Sequence, residues 1–388
     1  MTAEVLVAGG GIGGLALALG AAANGHRVTV LERSAEFAEL GAGIQLAPNG
    51  LHALDRLGLG AATRAIATPI DELRFMDGVT GEHVTSMPLG AQYQARFGQP
   101  YVVVHRGELY RLLLDACRAA PGVELRPSSA VTGYEQDRTG VTARLAGGGR
   151  IAGALLVGAD GIHSAVRGQL VGDGPPRISG ITVYRAIIPM AEVPAPLRAR
   201  AVTWWAGPKC HFVHYPIAGG RYLNLAASRD DGATEAFTGR PAALEAVRRE
   251  FAPLPAAGHL LELGRDWHAW VLVDRAPVDA WCDGRVTLLG DAAHPMLHYA
   301  AQGACQAFED AVVLAGLLGD GADGLLRYQE LRRERTAAIQ HTARDSIRLW
   351  HPAGAAATAR NAALAAMSAT DLHDAVAWMH AERIEATR

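Results

Sequence analysis

The chain has 388 residues, 49% of them hydrophobic, and a formal net charge of −3. That is enough chain for two cores, and too little charge for bulk attraction to nucleic acid or an anionic membrane surface. No apolar run is long enough to cross a bilayer and no charged leader precedes the first apolar strand, so neither membrane nor nucleic acid is an expected partner and a cytoplasmic location is expected.

In chain order, Glu4 to Ala8 reads as a short buried strand, Leu15 to Ala23 as a helix rich in alanine and leucine, and His26 to Leu31 as a second strand that ends at Glu32. The turn between strand and helix is Gly9-Gly10-Gly11-Ile12-Gly13-Gly14. Gly9 allows the tight turn, Gly11 lets backbone N–H groups approach a pyrophosphate, and Gly14 lets the helix pack close to the strands. Glu32 stands about 20 residues past the first glycine, where an acid bonds a ribose hydroxyl, and Arg33 follows it. Strand, turn, helix, strand and acid in this order identify a dinucleotide site.

Further on, residues 39–46 include glycines that allow close backbone approach, with Gln45 among them, and Asn49 to Leu57 reads as a helix. Residues 69–100 read as strands and loops. Tyr101 to Leu109 is a strand running into a helix, and Val123 to Leu125, Val141 to Leu145 and Leu155 to Val157 are further strands. From Ile181 to about Val273 the pattern becomes strands separated by turns, with Gly219-Gly220 a hairpin turn. Alternation along His211-Phe212-Val213-His214-Tyr215 places His211, Val213 and Tyr215 on one face and His214 on the other. Arg285 to Leu289 is one more buried strand, and Ala304 to Leu317 and Leu325 to Ile347 are helices. Arg332, Arg333 and Arg335, interspersed with Glu330 and Glu334, read as a solvated helix face. Cys117, Cys210, Cys282 and Cys305 form no CxxC pair, and neither His211 with His214 nor His294 with His298 belongs to a fuller ligand set, so no metal is expected.

These elements predict an α/β protein. A Rossmann-like nucleotide domain (residues 1–70, 98–178 and 276–340) is interleaved with a mostly β substrate domain (71–97 and 179–275), and a C-terminal helical segment (341–388) follows.

Three ordered motifs carry a resemblance: Gly9 to Gly14 with Glu32; Gly158-Ala159-Asp160-Gly161 to Arg167; and Gly290-Asp291 with Ala292 to Asp310. Together they resemble the single-component FAD-dependent aromatic hydroxylases over all but about the last forty residues. The resemblance implies a Rossmann-like FAD domain, with Asp291 on the ribityl hydroxyls, Arg106 on the flavin and Asp160 as a cofactor residue or a helix cap. It also implies NADH or NADPH as reductant, and dioxygen that adds at flavin C4a and passes its distal atom to an electron-rich ring. If a helix starts at Gln302-Gly303-Ala304, its free N–H groups meet the flavin edge where reduction gathers negative charge. Pro295 shapes the neighbouring loop.

The segment from His211 to Pro216 is similar to a substrate-layer strand of the 3-hydroxybenzoate 6-hydroxylase and salicylate hydroxylase branches, which makes His211 and Tyr215 candidates for contact with an aromatic acid. Leu297-His298-Tyr299 resembles a Leu-Gln-Tyr stretch there, with His298 in place of glutamine. Histidine is suited to accept a phenolic proton near neutrality. Trp204-Trp205 with Ala301 to Cys305 looks similar to a hydroxynicotinate branch, so a hydroxylated N-heteroaromatic acid stays open beside a small phenolic acid. Trp204 and Trp205 could border the ring site but read more simply as core, and Arg185 or Arg221 could bind a substrate carboxylate bidentately but read more simply as surface or inter-strand partners. An ordinary NAD-dependent dehydrogenase is the competing class, and a homodimer is left open as the assembly.

Overall fold

The computed structural model describes residues 2–38 and 43–384. The glycine-bearing stretch 39–42, Gly41 included, lies outside the described residues.

The first strand, Glu4–Ala8, stands inside a six-stranded sheet between Leu155–Gly158 and Arg27–Leu31, with Val286–Leu288 and Val123–Arg126 beyond them in parallel and Cys282–Asp283 antiparallel at one edge. Near-continuous apolar strands such as VLVA and LLVG suit a parallel sheet covered on both faces. The helix Ile12–Ala23 packs against the helix Gly303–Leu317, from the other end of the chain. The two approach so closely that a Cβ on Gly20 would lie 3.0 Å from Ala315.

An eight-stranded sheet forms the second layer, built from residues 72–88 and 177–274 in the order Arg240–Pro241, His268–Asp274, Arg177–Pro189, Tyr222–Asp230, Cys210–Ile217, Ala201–Gly207, Glu72–Asp77 and His83–Pro88. All neighbours are antiparallel except Ala201–Gly207 with Glu72–Asp77. The turn at Gly219-Gly220 joins Cys210–Ile217 to Tyr222–Asp230, both glycines taking positive φ (67° and 82°). One face of this sheet buries Phe212, Leu225, Trp205, Phe251 and Trp267 in a core of its own. The opposite face carries His211, Val213 and Tyr215 towards the nucleotide layer, as the alternation requires. A small sheet of Gly43–Leu46, Val102–His105 and Thr68–Pro69 lies between the layers.

The α/β expectation therefore holds, with local corrections. A helix, Ala91–Phe97, interrupts the section read as strands and loops. The helix expected over Asn49 to Leu57 runs Pro48–Arg56, with proline at the first helical position. The long C-terminal helix runs Ala322–Asp345 and is followed by the short helix Ile347–Trp350.

The largest correction concerns Arg332. It does not lie on a solvated face: it is 2% exposed and donates to Asp310 Oδ1 (2.8 Å), Glu309 Oε2 (2.5 Å) and Gln306 Oε1 (2.6 Å). Arg335 adds two bonds to Glu309, while Arg333 stays at the surface. An arginine–glutamate alternation looks alike whether a helix faces water or a neighbouring acidic helix, and here the residues on Gly303–Leu317 decide it.

Beyond residue 345 the chain turns back over the substrate layer. Helix Ala369–His380 begins with a reciprocal Ser368–Asp371 cap and docks through a 2.8 Å bond between the Tyr93 hydroxyl and His380 Nδ1. Among the described residues, no helix is long and apolar enough to cross a membrane.

Candidate active site

Between the two layers lies a cavity of about 360 Å³, and its lining draws together residues from opposite ends of the chain. At one end are Gly11 and Gly13 of the first turn. Gly43 and Gln45, Arg106, Asp291, and Gln302 to Ala304 continue the wall. The far end is formed by Arg185, Trp204, His211, Tyr215, His298 and Trp350.

The glycines of the first turn differ in what surrounds them. Gly9 has φ +106°, and a Cβ there would lie 2.3 Å from the Ala159 carbonyl oxygen; a Cβ on Gly14 would lie 2.1 Å from that of Gly9. These two positions let strand, turn and helix close on one another. Gly11 has no other atom within 4 Å of where its Cβ would be, nor has Gly303 across the cavity. Both leave bare backbone facing open space, as the close approach of a nucleotide and a flavin ring requires.

Glu32 accepts the Gly10 N–H (2.8 Å) and the Ser34 N–H (2.9 Å), so its carboxylate holds the turn in shape; neighbouring Arg33 is exposed. Asp160 accepts the backbone N–H of Ala165 (2.8 Å), and its Oδ1 is buried with no partner among the described residues. The capping role is thus in place. Burial raises the Asp160 carboxyl pKa, against several hydrogen bonds. Gln45 accepts the Tyr101 hydroxyl at 2.6 Å. Asp291 stands deep in the protein with its side chain open to the cavity; burial raises its pKa, opposed by His294 and Arg106. Pro295 is buried behind the lining and its carbonyl accepts from Gln340 at 3.0 Å, so it fixes the loop from outside the cavity.

The helix Gly303–Leu317 does start at the expected point, with Gln302 as its N-cap residue. Its first N–H groups lack intrahelical partners and its positive dipole end meets the cavity. Glu309 and Asp310 sit on its next turns, paired with Arg332 of the helix Ala322–Asp345, and Asn49 links Gln302 (2.8 Å) to Glu309 (2.6 Å). His294 joins the cluster through Nε2 to Asp310 Oδ2 at 2.6 Å. Arg332 and His294 hold the Asp310 carboxyl well below the usual carboxylate range despite complete burial.

At the far end the three nominated side chains converge. His211 is 2% exposed, and its ring centroid lies 6.3 Å from that of His298. Burial, with His351 and His298 nearby, pushes the His211 pKa well below the ordinary histidine value. Burial and Arg185 take His298 down to about 3. Both imidazoles are therefore neutral at pH 7. Tyr215 lines the cavity with its ring but donates its hydroxyl to the Gly43 carbonyl at 2.8 Å, and burial raises it to about 12. His214 lies on the opposite face, stacked on Phe212.

Three expectations need correction. Arg185 is not a surface residue: it faces the cavity, no carboxylate pairs with it among the described residues, and its Nε has no hydrogen-bond partner. Its guanidinium lies 5.8 Å from the Trp270 ring centre. Arg221 is largely exposed and pairs with Glu108, as a surface residue. Of the tryptophan pair, Trp205 is core but Trp204 lines the cavity.

The third correction concerns the tail. Trp350 closes the cavity wall, stacked on Trp204 (5.5 Å) and Phe75 (5.2 Å), and His351 Nε2 lies 3.0 Å from His211 Nδ1. Neither residue was nominated from the sequence. The available signal was the Trp350-His351-Pro352 run, whose two bulky rings stand out from the alanine-rich helix that follows.

Residues 2–343 match the protein family described as "FAD binding domain". The 3-hydroxybenzoate 6-hydroxylase 1 of Aquipseudomonas alcaligenes is 45% identical over 382 residues, 97% of each chain. The chain is a flavin-dependent aromatic monooxygenase of the FAD-binding family. The monooxygenase is also 40% identical to the 3-hydroxybenzoate 6-hydroxylase of Polaromonas naphthalenivorans (strain CJ2), across 97% of its own length and 95% of that protein's. A solved salicylate hydroxylase substrate complex superposes with a TM-score of 0.83 at 25% identity, covering 97% of the monooxygenase and 95% of that chain. Likeness on this scale takes in most of the last forty residues, which the sequence motifs had left outside. FAD is its cofactor, and the bare backbone at Gly11 and Gly303, the open Asp291 carboxylate and the helix start at Gly303 fit that group.

Proposed function

We propose that this monooxygenase hydroxylates a small monohydroxybenzoate, 3-hydroxybenzoate foremost, at the expense of NADH or NADPH and dioxygen. The observation that carries the reading is Arg185, a deeply set cation with no carboxylate partner among the described residues, at the end of the cavity where His211, His298, Trp204, Tyr215 and Trp350 also stand. An unpaired buried cation favours an anionic ligand strongly. The names of the curated relatives point to the same class of acid.

Gly11 and Gly13 would hold the pyrophosphate, Asp291 the ribityl chain, and Arg106 with the Gly303 helix start the ring system. Bound FAD supplies the acceptance of electrons from reduced nicotinamide and the activation of dioxygen. The chain's own side chains do the rest. Arg185 binds the carboxylate, Trp204 and Trp350 flank the ring and exclude water, and His211 accepts the phenolic proton, which makes the ring more electron-rich. His298 has a buried Nδ1 without a partner, and this favours a second reading in which a heteroaromatic nitrogen or a ring hydroxyl bonds there.

The test is a panel of hydroxybenzoates, simple phenols and 6-hydroxynicotinate, assayed for stimulated NADH and NADPH oxidation with mass identification of products, on wild type and Arg185→Gln. Wild type is expected to prefer the acid over the matching phenol. In the variant, KM for the acid should rise by about tenfold or more, equivalent to losing one charged hydrogen bond, and the phenol should be unaffected. A wild-type enzyme that turns over no monohydroxybenzoate, or treats acid and phenol alike, refutes the proposal.

A further inference from the structure

Accepting a phenolic proton poses a problem for His211. A cation at that position is almost fully buried, beside His298 and its neighbour Arg185, with no carboxylate in contact. The geometry offers a place for the charge to go. His211 Nδ1 and His351 Nε2 are 3.0 Å apart, a hydrogen bond in which one ring donates and the other accepts. That leaves His211 Nε2 as the nitrogen available to the cavity. His351 lies further out, 9% exposed, on the turn that follows Ile347–Trp350, and Lys209 N–H donates to its carbonyl at 3.1 Å.

We propose that His351 is the second member of a proton relay, taking over through His211 the proton that the substrate's phenol gives up. This rests on the phenolic-acid reading above. In the relay the phenol O–H bond breaks and its proton moves to His211 Nε2, while the proton on His211 Nδ1 moves to His351 Nε2. His211 ends neutral, with Nε2–H donating to the phenolate oxygen. The cation ends on His351, one residue further from the ring.

The surroundings favour that direction. His211 is faced by His298, Tyr299 and Trp350, none of which carries negative charge at neutral pH. His351 is faced by His211 and Tyr299 and feels both Asp230, which favours its charged form, and Arg229, which opposes it. Burial takes His351 down to about 4, against a deeper depression for His211. His351 acts through His211 and is a positioning residue.

The experiment uses the full-length, FAD-loaded protein and 3-hydroxy-4-nitrobenzoate, whose phenolate is coloured. Difference spectra of the bound probe are recorded as pH is lowered, for wild type, His351→Gln, His211→Ala and Asp230→Asn. Glutamine keeps a hydrogen-bonding side chain but cannot take the proton. The midpoint for loss of bound phenolate is expected to rise by about one pH unit or more in His351→Gln, a tenfold loss of phenolate at a fixed pH below the midpoint. Probe affinity above the midpoint should stay at the wild-type value. Asp230→Asn should shift the midpoint the same way but less, and it carries the test alone if His351→Gln does not fold or load FAD. Midpoints equal to wild type in both variants, or a rise confined to His211→Ala, overturn the relay and leave the substrate reading intact. A wild-type protein that does not bind the probe overturns both.

Discussion

Replacing Arg332 with methionine, which has a comparable unbranched stem and no charge, isolates the electrostatics of the cluster behind the helix Gly303–Leu317, which starts at the cavity. In the wild type the guanidinium serves Asp310, Glu309 and Gln306 at once from a 2% exposed position. Removing one partner of a buried ion pair costs about 3–5 kcal/mol, because the remaining charge is left uncompensated. Here both acids keep other partners: Glu309 retains Arg335 (2.8 and 3.0 Å), and Asp310 retains His294 (2.6 Å) and the Gly290 N–H (3.0 Å). The cost should therefore fall at the lower end, about 3 kcal/mol at pH 7.

The pH dependence gives this prediction its sign. Glu309 and Asp310 titrate below their ordinary values in the native protein, so each contributes stability that is present above the unfolded carboxylate pKa and is lost as pH falls through the folded value. Without Arg332 both folded values rise. A protonated carboxyl needs no cation, so the gap between wild type and variant should hold from pH 7 down to about 5 and narrow below that, as pH falls through the variant's raised folded values towards the lower wild-type ones. Urea unfolding of both proteins across that range measures it. A gap below about 1 kcal/mol at pH 7, the size of an exposed pair, or a gap that does not change with pH, would refute the buried-network reasoning.

Gly11→Val should leave the apoprotein's unfolding midpoint unchanged, since a Cβ there meets nothing within 4 Å, and abolish FAD retention, read from the flavin absorbance of purified protein. Retained flavin would remove Gly11 from the cofactor cradle. Trp350→Ala opens the wall between Trp204 and Phe75 to water. The ratio of hydroxylated product to NAD(P)H consumed should drop severalfold while FAD stays bound, because a wet cavity diverts oxygen to peroxide. An unchanged ratio would make Trp350 a packing residue alone.

Where the physics is local, the chain could be read directly. The first turn, the two strands beside it and the start of the helix at Gly303 each rest on a few adjacent residues. Strand alternation sorted His211 and Tyr215 from His214 because a two-residue period needs no knowledge of the partner strand. Arg332 and His351 were not legible in this way, and Arg185 stood out only as an alternative to a surface or inter-strand role. An arginine's default is the surface, and only the arrival of Glu309 and Asp310, or of an open cavity, overrides it. Trp350 and His351 reach the site by a chain reversal after residue 345, and their ring contacts are with residues from Phe75 to Tyr299. No spacing within the tail encodes that meeting.

The wall supplied by Trp350 also has a consequence in time. A chain leaving the ribosome emits the glycine turn and then the helix Gly303–Leu317 before Trp350 and His351. For that interval a nascent molecule has the residues that fit the cofactor but no closed wall around the far end of the cavity. Oxygen chemistry in such a half-enclosed protein would release peroxide beside its own unfinished fold. The wall that excludes water is thus made after the helix start it faces across the cavity.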